Sequence, residues 1–149
     1  MKQVFPIAPA GMGAPWTTLA IALLLVGLLC LFGYIFYSTR HVTFEVTAEG
    51  LRIRGDLYGR LVPRASLLLD RASVLNLNEQ RDYALSVRTN GIGLPGYSSG
   101  WFTLKNGDKA LAFVTKCDSV LYVPTNDGYV VVLSTPEPKL LLAALRSGR

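Results

Sequence analysis

The first 44 residues contain no aspartate and no glutamate, and their only basic side chains are Lys2 and Arg40. Charge is scarce in the whole chain, at 17%, where soluble domains carry about a quarter. Histidine occurs once, at His41, and cysteine twice, at Cys30 and Cys117. One histidine and one cysteine outside the apolar segment cannot build a histidine–cysteine metal cluster. Two such distant cysteines also exclude the disulfide framework of a small secreted domain, and no Asn-x-Ser/Thr sequon is present. Carboxylates stand singly at Asp56, Asp70, Glu79, Asp82, Asp108, Asp118 and Asp127, mostly in turn-forming surroundings where Asp is favoured for backbone reasons. A Cys117–His41 nucleophilic pair would have to form at the edge of the apolar segment. No residues offer acid, base and nucleophile together, so the reading is a non-catalytic protein without cofactor, metal or small-molecule substrate.

What the N-terminus does have is an uncharged apolar run from Trp16 to Tyr37. About 20 apolar residues in a helix cross the roughly 30 Å hydrocarbon layer, and aromatic residues mark both ends, Trp16 at one and Tyr34, Phe36 and Tyr37 at the other. A cleaved signal peptide has a shorter apolar stretch and a small-x-small cleavage site. Here bulky Ile35, Phe36 and Tyr37 stand in that place. The sequence therefore predicts a loose tail over residues 1–15, rich in Gly, Ala and Pro, and a transmembrane signal anchor over 16–38. Trp16, Leu23, Leu28, Tyr34 and Tyr37 are its lipid contacts. Arg40, Arg52 and Arg54 on one side outweigh Lys2 on the other, so the positive-inside rule sets residues 41–149 in the cytoplasm of a single-pass protein. Gly27 and Gly33 are six apart, not the four of a Gly-x-x-x-Gly dimerisation face.

Beyond residue 41 the pattern has period 2, as in half-buried strands. Val42, Phe44 and Val46 alternate with Thr43, Glu45 and Thr47; after an Ala48-Glu49-Gly50 turn, Leu51 and Ile53 alternate with Arg52 and Arg54. Tyr83, Leu85 and Val87 continue the theme. Asn106-Gly107 between two apolar runs predicts a type I′ hairpin, and Pro124 to Gly128 between Val120–Val123 and Tyr129–Leu133 predicts another. A closing helix is expected with Thr135 as cap, Pro136 and Glu137 in its first turn, and Leu140, Leu141, Leu142 and Leu145 as its apolar face. The fold class is α+β, with seven or eight short antiparallel strands and one helix. Gly91-Ile92-Gly93-Leu94-Pro95-Gly96 matches G-x-G-x-x-G literally. No helix follows it to meet a pyrophosphate, so it reads as a glycine-rich loop between strands rather than a nucleotide site.

Arg88 to Tyr97, Gly100-Trp101-Phe102, Asn106-Gly107 and Val120 to Thr125, together with the order of strands and then one amphipathic helix, resemble the bacterial PH-like domains found beside membrane helices. The resemblance covers residues 42–147. It implies an antiparallel barrel or sandwich of about seven strands with a C-terminal capping helix, in a membrane-associated binding or assembly module of the bacterial inner membrane.

The domain holds 13 basic residues against ten acidic ones, too small and mixed an excess for a nucleic-acid stripe. Arg52, Arg54, Arg60 and Arg64 are the candidates for contact with anionic headgroups, at about 1 kcal/mol each near a bilayer; on an antiparallel sheet they equally suit a solvated face. Three function classes follow. The first is a membrane-tethered module that binds another membrane protein or itself through a sheet edge or the groove beside the helix. The second reads headgroups, and the third is an enzyme that its residues do not declare.

Overall fold

A computed structural model describes residues 13–38 and 42–148, in two bodies: an N-terminal helix and a β-rich domain. Helix α1 runs Gly13–Ser38. Its Pro15–Tyr37 stretch carries no charged residue and is not buried inside the protein, and it is long and apolar enough to cross a membrane. Trp16, Leu23, Leu28, Tyr34 and Tyr37 are all exposed on it. Lys2, Arg40 and His41, which enter the orientation argument and the Cys117 pair, lie outside the described residues, as does most of the expected tail.

The domain is a sandwich of nine strands and a closing helix. The smaller sheet has the order β1-β2-β3, with β1 Thr43–Thr47, β2 Gly50–Arg54 and β3 Leu61–Pro63. The larger has the order β4-β8-β9-β7-β6-β5, with β4 Ser73–Leu75, β5 Leu85–Leu94, β6 Tyr97–Leu104, β7 Lys109–Val114, β8 Val120–Pro124 and β9 Val130–Ser134. The two three-residue strands, β3 and β4, are too short to leave a periodic signal, which is why the sequence shows seven or eight. The sheet is not wholly antiparallel either. After β7 the chain passes one strand position to make β8, and β9 turns back into the gap, parallel to β7 and antiparallel to β8.

The expected alternation holds in the small sheet: Leu51 and Ile53 are buried, with Val42, Phe44 and Val46 packed beside them. In the middle of the large sheet both faces are covered. Leu111, Phe113, Leu121, Val123, Val131 and Leu133 face the small sheet and Leu145 of the closing helix. Ala110, Ala112, Val114, Val120, Val130 and Val132 face Leu77 and the segment leading to β5. Continuous apolar runs are what strands buried on two sides require.

The turns depart from expectation in instructive ways. Gly107 has φ +92°, but no residue other than glycine has positive φ among the described residues, so Asn106-Gly107 is not type I′. The Gly107 N–H donates to Leu104 O and the Leu104 N–H to Asp108 O, the three-residue loop with glycine in the left-handed position. The glycine-rich segment is mostly strand: Gly91 and Gly93 lie in β5, Tyr97 to Gly100 in β6, and only Pro95-Gly96 turns. Gly100 has φ +109°, and a Cβ there would stand 2.6 Å from Asn90 O, so the crossing of β5 and β6 needs glycine. The closing helix, α2 (Pro138–Ser147), starts later than expected, with Glu137 rather than Thr135 at its cap. Proline's fixed φ suits that first position. Leu145 is buried and Leu141 and Leu142 pack on the core, whereas Leu140 is exposed.

Candidate interaction surface

β5 is the outermost strand of the large sheet and, with ten residues, the longest. It pairs with β6 alone, and no other backbone hydrogen bond reaches it among the described residues. Residues Ser86 to Asn90 are all exposed. Irregularities between Leu85 and Val87 and between Arg88 and Asn90 shift the register. Each inserts a residue that reverses which face the next side chain takes. The alternation Tyr83–Leu85–Val87 read from the sequence therefore fails: Leu85 lies opposite Leu104, while Val87 lies opposite Thr103. Val87 is 59% exposed and Leu94 44%. Beside the hairpin a shallow groove is lined by Leu77, Leu85, Leu94, Tyr97 and Cys117.

The loop from β2 to β3 ties the small sheet to this edge. The Tyr58 hydroxyl donates to Asn90 Oδ1 at 3.1 Å. Asp56 accepts the Tyr58 N–H at 2.8 Å through one oxygen and the Tyr97 hydroxyl through the other. Burial, and then this carboxylate, push the Tyr97 phenol well above the usual range, because ionising it would set two negative charges side by side. On the opposite face Tyr122 is pushed up to about 12, by burial first and the Asp108 charge next.

The four arginines singled out from the sequence do not form one cluster. Arg52 pairs with Glu49 at 3.3 Å and Arg54 with Glu45 at 3.2 Å, both on the outer face of the small sheet. Arg64 donates to Arg146 O at 3.2 Å, beneath the C-terminal turn of α2, where a cation suits the exposed carbonyls. Arg60 lies 5.0 Å from the centre of the Trp101 ring, and Lys109 lies 4.8 Å from it. Tyr129 packs edge-on against the same indole at 5.1 Å. Trp101, Lys109 and Tyr129 were not among the sequence candidates. They come from β6, β7 and the residue just before β9, and only the pairing of Trp101 with Leu111 and of Leu111 with Val131 brings them together.

A family model described as "Bacterial PH domain" matches residues 42–148. The chain belongs to this family. PH domains are in general non-catalytic interaction modules that bind proteins or lipids, and the open β5 edge is a surface of the kind such a module offers. No curated protein and no solved structure matches the chain.

Proposed function

We propose that this chain is a single-pass protein of a bacterial inner membrane whose PH domain, on the cytoplasmic side, mediates assembly with another membrane protein or with itself. Trp16, Leu23, Leu28, Tyr34 and Tyr37 face lipid in this reading, and the excess of Arg40, Arg52 and Arg54 over Lys2 sets the orientation. The observation that carries the proposal is the β5 edge, long, exposed and carrying Val87 and Leu94 towards solvent. A strand edge binds an extended segment by main-chain hydrogen bonds and gains specificity from alternate side chains.

A photo-crosslinking residue in place of Ser86, irradiated in native membranes and followed by mass spectrometry, tests this. Adducts to one other protein support the adaptor role, and adducts to the chain itself support a homo-oligomeric scaffold. Labelling no greater than that of a control membrane helix would sink the proposal.

Anionic headgroup binding is the second reading, and one observation favours it. Arg60 and Lys109 share the Trp101 ring, and neither has a carboxylate within ion-pair distance among the described residues. Arg52 and Arg54 already face glutamates, so headgroups are better sought at Arg60. If this reading holds, anionic lipid copurifies with the full chain and is lost from Arg60→Glu, as read by native mass spectrometry.

A further inference from the structure

The chemistry of the β5 edge is two-sided. Across the β5–β6 register Val87 faces Thr103, Asn90 faces Trp101, Ile92 faces Ser99 and Leu94 faces Tyr97. These four positions share the side of the sheet that looks towards the small sheet, and three of them are apolar. Arg88 faces Phe102, Gly91 faces Gly100 and Gly93 faces Ser98, on the other side. There the Arg88 side chain lies along the strand over Gly93, with Nη1 3.3 Å from where a Cβ on Gly93 would stand. Neither glycine brings a side chain of its own, so between Val87 and Leu94 the guanidinium is the one long group that β5 sets on that side. It has no carboxylate within ion-pair distance among the described residues.

We infer that the β5 edge is built for an extended partner segment that alternates apolar and acidic residues. The inference rests on the edge reading above and names the partner's chemistry. In an added strand, residues directly across from β5 come within about 5 Å of its side chains on the same face. Apolar positions of the incoming strand then continue the row of Val87, Ile92 and Leu94, and the intervening positions stand beside Arg88, where a carboxylate meets an unpaired guanidinium. Pairing with the β5 strand of a second copy does not supply that charge. β5 contains no Asp or Glu, and antiparallel pairing about a two-fold axis normal to the sheet brings Arg88 onto the same face as its counterpart. Like charges across a strand pair destabilise it. Residues 1–44, also without an acid, do not supply it either. The register shifts at either end of Arg88 limit regular pairing to a short stretch, so the side-chain charge carries much of the selectivity.

The test uses the full chain in detergent micelles and two labelled ten-residue peptides, one alternating Val with Glu and the other Val with Lys. Binding is read by anisotropy and located by amide hydrogen exchange in β5. The expected result is at least about tenfold tighter binding of the Glu peptide, equivalent to about 1.4 kcal/mol, with β5 amides protected and the preference reversed in Arg88→Glu. Because Arg88 is exposed and unpaired, that variant keeps its fold, which circular dichroism checks. Equal protection of β5 by both peptides overturns the acidic-segment inference and leaves the edge reading standing. No protection of β5 by either peptide overturns both. Self-association that protects β5 and survives Arg88→Glu assigns the edge to a second copy and overturns the inference.

Discussion

β9 and β5 belong to the same sheet and have opposite compositions. β9 reads Val-Val-Val-Leu-Ser, sits between β7 and β8, and buries Val130 to Leu133 on both faces. β5 is twice as long, carries Arg88, Thr89, Asn90 and two glycines, and buries none of its residues fully. A strand in the centre has its backbone satisfied on both sides, so its side chains are free to be wholly apolar. A strand at the edge must avoid indiscriminate pairing, and register irregularities and a charge are the usual devices. Val87 and Leu94 are nonetheless apolar and exposed on this edge.

The largest effect that tests this contrast comes from truncating each strand. Leu133→Ala empties a fully buried site and should destabilise the domain by about 2–5 kcal/mol. Val87→Ala should change stability by no more than about 0.5 kcal/mol while weakening any complex made through β5. Urea unfolding of the two variants, beside the crosslinking assay, separates the roles. A comparable loss of stability in both would mean that Val87 is core and that the edge is closed.

Next in size is the glycine that lets β5 cross β6. Gly100→Ala sets a Cβ 2.6 Å from Asn90 O at a φ of +109°, and a cost of about 1–3 kcal/mol is expected from strain of this kind. Gly96→Ala also carries positive φ, +77°, but meets nothing within 4 Å, so it should cost less. Thermal unfolding distinguishes them; an equal loss would mean that backbone strain alone, not contact with Asn90, fixes the crossing.

Much of this fold is legible in the sequence, and the exceptions have physical causes. The apolar helix, the β1–β2 alternation and both late hairpins follow from local pattern, because each is decided by residues adjacent in the chain. β3 and β4 are not, since three residues hold no period. The parallel placement of β9 beside β7 is a non-local choice, and only the two-sided apolar run of Val130 to Leu133 hints at it. Val87 is misread because an extra residue flips the face, which no composition announces. Of the site, Arg60 is visible as a basic residue. Its attachment to Trp101, and the sharing of that ring with Lys109, depends on three segments that meet only after folding.

The tyrosines give a pH test of how the two faces are held. Tyr97 joins β6 to the β2–β3 loop and Tyr122 lies on the opposite face, and both are harder to ionise folded than unfolded. A phenol raised above its unfolded value near 10 contributes stability that is fully present below that pH and is lost as pH rises through the folded value. Stability should therefore fall progressively from about pH 10 to 12 and upwards. Phenolate absorbance from these residues should rise with unfolding rather than before it. Asp56→Asn removes the negative neighbour of Tyr97, narrows the gap between its folded and unfolded values, and should therefore abolish part of this alkaline loss. An unchanged alkaline profile would show that burial alone governs Tyr97.

The smallest expected effect sharpens the comparison between sheet surface and sheet edge. Arg54 lies beside Glu45 and is a solvated cation with a partner in its own sheet; Arg88 is a solvated cation without one. Exposed ion pairs contribute about 0–1 kcal/mol, so Arg54→Gln should cost a few tenths of a kcal/mol at low salt and less at high salt. Arg88→Gln should cost nothing measurable at either, because no attraction within the domain is removed. In the bound state the order reverses: Arg88→Gln should weaken the complex in a salt-dependent way, and Arg54→Gln should not. Stability and affinity of both variants, each measured at two ionic strengths, check the four expectations. A loss of folding stability in Arg88→Gln that salt suppresses would reveal an internal partner for the guanidinium and remove the reason for seeking an acidic one outside.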